Sequence, residues 1–535
     1  MEKQKGQNYL HGAAILTAGV IIMKILGFIY KVPLGNIIED DGYSMFLATY
    51  NVYNVFLMLS TAGLPIALAR LISEANAEGR VMQVRRTFSV AWWTFFYIGL
   101  ACSLVMLLFP GWIASDILHN PDAALSIRVM APSVLLVCLV SSYRGYCQGL
   151  GNMIPTTVGQ VLEVLVKVAV GLGLAWLAIH NGLGKPMSSA GAIFGVTVGS
   201  AAALLYMWLY KRRHYRDEAP AEPDVPDSSA KIFRRFVRIG IPIALGSSIL
   251  AILNLVDTSL CMGRLQQAAG FSYMDAKVLY GVYGKAQTVF NLPAAIITPL
   301  SISIVPAITA AIVRGENDNA TKISEDSLRI ASVLSMPMGA GLAVLAGPIM
   351  NLLFPGSHSA GSTLLAVMGL ASFFVCMVLV ENAILQASGR ELLPMLSMIV
   401  GGIVKVAINY FLVANPAINI YGAPIGTLAS YVVMAVMNFV FLCRALDENP
   451  KLRTVIVRPL ACTVAMAAFC WACFGLGDRF LPGDGRLHLL LCVAVAILAA
   501  VGLYLYMTVV LRTISREDMR LIPGGEKLAK LLRMR

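Results

Sequence analysis

Four lysines that interrupt long apolar stretches are the residues of this chain whose type and position could do chemistry. The tetrapeptide Val-Lys-Val-Ala occurs twice, around Lys167 and around Lys405. Lys24 and Lys285 lie in two further apolar stretches. Because a cation at membrane depth is costly, it marks a substrate or ion path by default. The sequence therefore predicts a cationic site within the membrane.

Glu163 is the acid best placed in the sequence to neutralise one of these lysines. It precedes Lys167 by four residues, the favourable orientation for a pair on one helix face. Whether Lys167 pairs with Glu163 or faces a substrate stays open. Lys405 has a glycine at the equivalent position, and the other two lysines have no acid three or four residues away. Snorkelling fails at mid-span, so these three are the better substrate-binding candidates, with structural ion pairs as the alternative.

Asp257 and Glu381 are further acids within apolar stretches, and Arg144 lies near the end of another. Together with Glu163 they are expected to form ion pairs or a gate. Arg144 is interpreted as an interfacial residue that could help to gate the inner opening. Asn51 lies at helical spacing from a second polar residue, which favours hydrogen bonds between helices over ligand binding.

The sequence offers no arrangement typical of catalysis or metal binding. Its six histidines lie near loops or helix ends, and no Ser/His/Asp or paired-carboxylate arrangement appears. No cluster of His, Cys, Asp and Glu has metal-ligand spacing. The ten cysteines are scattered, mostly in apolar stretches, where a free thiol behaves as a small hydrophobe. We therefore expect no enzyme activity, no catalytic residue, no metal and no cofactor.

The composition is typical of a multi-span membrane protein. Of its 535 residues, 58% are hydrophobic and only 13% are charged, whereas soluble domains carry roughly 25% charged residues. The net charge of +12 comes from basic residues in short connections between apolar stretches. That distribution indicates membrane topology rather than a nucleic-acid partner.

Stretches long enough to cross the hydrocarbon layer, about 20 residues, occur fourteen times. They lie at 10–32, 44–69, 88–110, 124–146, 156–180, 188–210, 238–260, 278–312, 328–354, 361–387, 392–414, 421–443, 455–477 and 487–511. The fold class is therefore an all-α polytopic membrane protein with fourteen transmembrane helices. The stretch at 278–312 contains three prolines and is expected to be kinked.

Lysine and arginine are concentrated in alternate connections, which predicts that both termini are cytoplasmic. The Pro- and acid-rich part of 211–237 is interpreted as a flexible cytoplasmic linker. It separates a first lobe at 1–210, with six helices, from a second lobe at 238–445, with six more. Residues 446–535 add two helices and a basic cytoplasmic tail.

The two lobes are predicted to be repeats because short motifs recur in the same order in both. Leu-Leu-Phe-Pro-Gly occurs at 107–111 and 352–356, Gln-x-x-Gly at 148–151 and 386–389, and Gly-Ala-x-x-Gly at 191–195 and 422–426. Since six helices is an even number, both copies point the same way. We expect a pseudo-twofold axis along the membrane normal, as in two-lobed transporters.

Several motifs carry a resemblance to a known group. They are Met-Lys-Ile-Leu-Gly-Phe at 23–28, Ala-Gly-Leu-Pro at 62–65, Tyr-Gly-Lys at 283–285 with Asn-Leu-Pro at 291–293, and Ile-Leu-Gln-Ala-Ser-Gly at 384–389. With the 6+6+2 helix arrangement, the chain resembles the MOP exporter superfamily, within it the lipid II flippase and stage V sporulation protein B branch. The resemblance implies a two-lobed carrier that moves undecaprenyl-pyrophosphate-linked sugars outward by alternating access.

The flippases of that branch place arginines in a central cavity, and the resemblance implies counterparts here. Lys24 matches the first, Lys285 approximates the one on helix eight, and Lys31 stands next to Tyr30 where a second basic residue is expected. The arginine of helix two has no charged counterpart, which leaves the exact cargo open. The substrate-binding candidates are thus Lys24, Lys31, Lys167, Lys285 and Lys405.

A lipid-linked oligosaccharide, most specifically lipid II, is the expected substrate of a monomer surrounded by membrane lipid. Its pyrophosphate has about two negative charges, and lysine binds phosphate as a point charge. A cation-coupled multidrug exporter of the same superfamily is the nearest alternative; it favours cavity acids, whereas the first helix has Lys24 and no acid. A membrane glycosyltransferase would need larger outer loops than this sequence has.

Overall fold

The computed structural model describes residues 2–61, 63–215, 224–445, 453–480, 485–511 and 513, and this part is helical without β-strands. The α-helices, in chain order, are α1 (Glu2–Ile37), α2 (Glu39–Thr61), α3 (Leu64–Ala77), α4 (Val81–Leu108), α5 (Pro110–Trp112), α6 (Ala124–Gly149), α7 (Ile154–His180), α8 (Gly184–His214), α9 (Ser229–Gln267), α10 (Tyr273–Val313), α11 (Asn317–Val344), α12 (Ala346–Leu353), α13 (Ala360–Ala387), α14 (Leu392–Leu412), α15 (Gly422–Cys443), α16 (Arg458–Phe480) and α17 (Arg486–Val510). Short 3-10 or π turns occur at Ile113–Ile117, Pro121–Ala123, Asn419–Tyr421 and Arg453–Val457.

Fourteen segments of the described part are long and apolar enough to cross a membrane, which confirms the predicted all-α fold with fourteen spans. The second span consists of two helices, since α2 ends at Thr61 and α3 begins at Leu64. Pro65 lies in the first turn of α3, where proline is tolerated because its missing N–H has no helical partner. The prolines of the eighth span all lie within the single helix α10.

The chain divides into two compact units, Met1–Gly281 and Val282–Arg535, and the boundary lies inside α10. Within the first unit, α9 packs against α2, α3 and α4. That packing explains why the first unit extends beyond six helices. The predicted lobes at 1–210 and 238–445 remain a prediction.

In the first unit, α7 and α8 pack closely because glycines replace side chains at their contact. A Cβ atom at Gly195 would lie 2.5 Å from the Cα atom of Gly171 and 2.8 Å from the carbonyl oxygen of Lys167. A Cβ atom at Gly199 would lie 2.5 Å from the carbonyl oxygen of Glu163. The backbone that carries Glu163 and Lys167 is therefore held directly against α8.

The same arrangement occurs in the second unit, where α14 packs along α15. A Cβ atom at Gly426 would lie 3.3 Å from the carbonyl oxygen of Lys405. Gly195 and Gly426 end the two copies of Gly-Ala-x-x-Gly, and Lys167 and Lys405 belong to the two copies of Val-Lys-Val-Ala. Motifs that recur in the sequence thus make the same helix contact within each unit.

The end of the predicted linker is docked onto α4 rather than free. The carboxylate of Asp224 accepts from the backbone N–H groups of Met82, at 2.7 Å, and Gln83, at 3.0 Å. The backbone N–H of Asp227 donates to the Gln83 side chain at 2.7 Å. Residues 216–223 of the linker, and residue 512 and residues 514–535 of the basic tail, lie outside the described residues.

Candidate functional site

Lys167 lies against two tyrosine rings within the first unit. Its ammonium nitrogen is 5.2 Å from the centre of the Tyr30 ring and 5.5 Å from the centre of the Tyr50 ring. The same nitrogen lies 3.5 Å from the Tyr50 hydroxyl oxygen. A cation over an aromatic face is attracted by the ring quadrupole, the more so where water is excluded. The rings therefore hold a half-buried cation without neutralising its charge.

The tyrosines are positioned by their own contacts. The Tyr30 hydroxyl donates to the carbonyl of Ala192 at 2.9 Å, which fixes the ring of α1 against α8. On α2, Phe46, Tyr50 and Tyr53 follow one another at helical spacing, with neighbouring ring centres 5.6 and 5.7 Å apart. Residues three or four apart lie on one helix face. This aromatic row forms one wall beside Lys167.

Glu163 pairs with Arg144, so of the two alternatives left open for Lys167, a pair with Glu163 is not the one that the described residues form. The Arg144 Nη2 atom lies 2.7 Å from Glu163 Oε2, and Ser200 donates to Glu163 Oε1 at 3.1 Å. Both carboxylate oxygens are therefore in use. Arg144 lies on α6, and its guanidinium, rather than the ammonium group of Lys167, binds Glu163. The pair connects α6 to α7 and is largely buried.

Lys24 and Lys31 complete a group of cations with Lys167, here called the N-terminal lysine cluster. Lys31 experiences electrostatic repulsion from both Lys167 and Lys24. Lys24 is exposed, while the other two are half-buried. Among the described residues, no carboxylate forms an ion pair with any of the three. Like charges at this depth without a counter-ion favour the binding of an anion.

Lys285 and Lys405 belong to the second unit. Lys285 is only 3% exposed, and its ammonium nitrogen lies 5.4 Å from the centre of the Phe354 ring. Lys405 is half-buried on α14. Both lysines have further interactions within the described part. Their assignment to substrate binding remains a prediction.

The predicted acids have different surroundings in the two units. Asp257 is buried on α9, where the Cys261 thiol donates to it at 3.8 Å. The adjacent Thr258 hydroxyl accepts from Asn51 at 2.8 Å, which confirms the predicted hydrogen bond between helices. Glu381 is buried on α13, and its Oε2 atom has no hydrogen-bond partner among the described residues.

One end of the first unit contains ion pairs that the sequence did not predict. Lys277, which is 2% exposed, donates to the carboxylate of Asp122. Lys185 lies 2.6 Å from Glu39 and 2.8 Å from Asp41. Three consecutive acids at 39–41 are visible in the sequence, but the partner of Glu39 and Asp41 lies more than 140 positions away. In the described part, no group of three or more His, Cys, Asp and Glu side chains could hold a metal ion.

Comparison with known proteins gives a consistent result. A family model described as "Polysaccharide biosynthesis protein" matches residues 9–312. The uncharacterized membrane protein YabM of Bacillus subtilis is 26% identical over 533 residues, which cover 98% of this chain and 96% of that protein. Lipid II flippase MurJ of the same organism is 23% identical over 538 residues, which cover 96% of this chain and 97% of that protein.

Among solved structures, lipid II flippase MurJ in an inward closed conformation matches with a TM-score of 0.68 at 14% identity. The match covers 93% of this chain and 98% of that one. At this level of identity the likeness establishes the fold.

Proposed function

Because the chain belongs to the polysaccharide biosynthesis protein family, we propose that it is a flippase for a lipid-pyrophosphate-linked oligosaccharide. The chain is a multi-pass membrane transporter of the flippase and exporter type, not an enzyme. The peptidoglycan precursor lipid II is the proposed cargo. It would move from the inner to the outer leaflet by alternating access, through a monomer whose two termini are cytoplasmic.

The observation that carries this proposal is the N-terminal lysine cluster. Lys24, Lys31 and Lys167 lie in membrane-spanning helices, and none forms an ion pair with a described carboxylate. A pyrophosphate offers two phosphate groups whose charge the ammonium groups would balance. The hydroxyls of Tyr50 and Tyr53 add hydrogen-bond donors along the same wall. In the second unit, Lys285 and Lys405 are likewise proposed as substrate-binding residues.

The cation-coupled drug exporter is disfavoured by the electrostatics of the first unit. Such a carrier needs an available carboxylate to bind a cationic drug. Glu163 is the acid closest in sequence to Lys167, and both its oxygens are engaged by Arg144 and Ser200. Lys24, Lys31 and Lys167 would repel a cation at the same depth.

The membrane potential supplies a driving force for an anionic cargo. Because the inside is negative, outward movement of an anion is downhill by about 2.3 kcal/mol per charge per 100 mV. The same field would pull an empty, positively charged cavity back toward the inside. We therefore propose that the potential drives the cycle, and transport that persists after the potential is collapsed would contradict this.

The cargo is tested by complementation. A bacterial strain depleted of its lipid II flippase should regain growth when it expresses the intact chain. Growth should fail when Lys24 and Lys167 are both replaced by Gln, with protein levels in the membrane unchanged. If the intact, membrane-inserted chain gives no growth, lipid II is not the cargo. Full growth of the double variant would show that Lys24 and Lys167 are not needed to bind the cargo.

A further inference from the structure

We propose that the end of α8 beyond Leu209 binds the head group of an anionic phospholipid, in a site independent of the cargo. A cavity of about 850 Å³ lies at this end of the helix. Its lining includes Tyr143, Trp208, Lys211, Arg212, Arg213 and Tyr215. This α8 basic cavity lies within the first unit and contains no member of the N-terminal lysine cluster.

Three consecutive cations of α8 line this one cavity. Neighbouring residues of a helix point about 100° apart, so three in a row do not ordinarily line the same space. The Lys211 ammonium nitrogen lies 4.1 Å from the centre of the Phe88 ring and 5.2 Å from that of Tyr146. Attraction between a helix C-terminus and cations explains basic residues at this position, and all three of them line the cavity.

The two arginines offer charge that the described part of the chain does not neutralise. Arg212 and Arg213 are exposed, and no described carboxylate forms an ion pair with either. The Arg212 guanidinium lies 5.5 Å from the Trp208 ring, which restricts its position without using its N–H donors. Arginine binds phosphate oxygens through paired donors, and a preordered guanidinium does so at less entropic cost.

Tyr215 adds a neutral donor to the cavity. The Asn152 amide donates to the Tyr215 hydroxyl oxygen at 3.2 Å, so the hydroxyl hydrogen is left to donate elsewhere. Burial raises the pKa of the Tyr215 phenol, although the hydrogen bond from Asn152 opposes that effect. The hydroxyl therefore keeps its proton and can donate to a phosphate oxygen.

The surroundings favour a lipid over a soluble phosphate. Immediately before the cations, Leu205, Trp208 and Leu209 project their apolar surface outward from α8. Tryptophan and tyrosine are enriched at the level of the lipid head groups. A basic pocket that begins where a lipid-facing surface ends is suited to an anionic head group whose acyl chains extend along that surface.

The test uses lipid-selective quenching of Trp208 in the full-length protein. The protein is reconstituted into vesicles that contain brominated phosphatidylglycerol or brominated phosphatidylcholine at equal fractions. The Trp208 signal is the difference between the protein and its Trp208→Phe variant, which removes one of the six tryptophans. Phosphatidylglycerol should quench this signal more strongly than phosphatidylcholine. The affinity for phosphatidylglycerol relative to phosphatidylcholine should fall roughly thirtyfold in an R212Q/R213Q variant.

The matched control is R234Q/R238Q, which removes the same charge from exposed positions on α9 that do not line the cavity. It should keep the preference. Equal quenching by the two lipids, or equal loss in both double variants, would overturn the proposal. Displacement of phosphatidylglycerol by soluble glycerol phosphate at equal concentration would assign the site to free phosphate and overturn the lipid assignment. Stronger displacement by a polyprenyl diphosphate would show that the α8 basic cavity is a loading position for cargo, and this too would overturn the lipid assignment.

Discussion

Arg144 of α6 donates to Glu163 of α7 across 2.7 Å, and this ion pair engages the acid nearest in sequence to Lys167. Glu163 lies one helical turn before Lys167, where an intrahelical pair would be expected. By engaging Glu163, Arg144 leaves the Lys167 charge in place beside Tyr30 and Tyr50. The N-terminal lysine cluster keeps its positive charge because Arg144, rather than Lys167, pairs with Glu163.

Replacement of Glu163 by Gln should destabilise the first unit. The Arg144 side chain is only 15% exposed, so the substitution leaves a largely buried cation without its partner. The expected loss is roughly 1.5–3 kcal/mol of unfolding free energy, the range for hydrogen bonds to charged groups. Thermal unfolding in detergent measures it as a lower Tm.

Glu74→Gln is the matched control, because Glu74 pairs with Arg235 at a site where that arginine is 56% exposed. Exposed pairs contribute about 0–1 kcal/mol, so this variant should unfold close to the intact protein. Equal Tm values for Glu163→Gln and the intact chain would show that the Arg144 pair is not structural.

Gly195→Ala should separate α7 from α8. The added methyl group would meet the backbone of Gly171 and the carbonyl of Lys167, and overpacking typically costs about 1–3 kcal/mol. Gly426→Ala should act likewise in the second unit, because a Cβ atom there would overlap the Oδ1 atom of Asn409 and lie 3.3 Å from the carbonyl oxygen of Lys405. The measurement is again the Tm in detergent.

Gly173→Ala tests the same substitution on α7 without the contact, since no atom lies within 4 Å of a Cβ there. It should be neutral or slightly stabilising, because alanine favours the helix. If Gly195→Ala and Gly173→Ala behaved alike, the close packing of α7 on α8 would be refuted.

Acid should release the docked linker from the start of α4. Despite opposing desolvation, the N–H donors of Met82 and Gln83 lower the pKa of Asp224 below its ordinary value of 3.8. The hydrogen bond from Lys231 lowers the pKa of Asp227 in the same sense. A lowered folded-state pKa gives stability that is present above the unfolded value and is lost as pH falls through the folded one.

The measurement is the Tm difference between the intact chain and Asp224→Ala across pH. The difference should be constant near neutral pH and should shrink below about pH 4. A difference that grows on acidification would contradict the docking of Asp224 on α4.

The sequence predicted the spans and the repeat because both depend on local patterns. The lengths of the apolar stretches predicted fourteen spans. The recurring motifs contain Gly195 and Gly426, which make the same helix contact in their two units. These features need no knowledge of which helices are neighbours. The break between Thr61 and Leu64 was missed, because apolar composition continues across it.

The site was less predictable because its partners are far apart in sequence. Glu163 could be compared with Lys167 on its own helix, whereas Arg144 becomes a partner only when α6 packs beside α7. Likewise, Lys277 is buried against Asp122, more than a hundred positions earlier. Charge at membrane depth identified Lys24 and Lys167 as candidates, but only the fold shows that Lys31 adds to their repulsion.

The central claim is that the N-terminal lysine cluster binds the pyrophosphate of the cargo. Its most direct test is the translocation of a fluorescent lipid-linked pyrophosphate in proteoliposomes. A variant with Lys24, Lys31 and Lys167 all replaced by Gln should lose at least about tenfold in rate, since each cation contributes to phosphate binding. The matched variant replaces Arg234 and Arg238 of α9 and Arg314, which follows α10; all three are exposed, and this variant should translocate normally. Equal rates for the two variants would contradict the account.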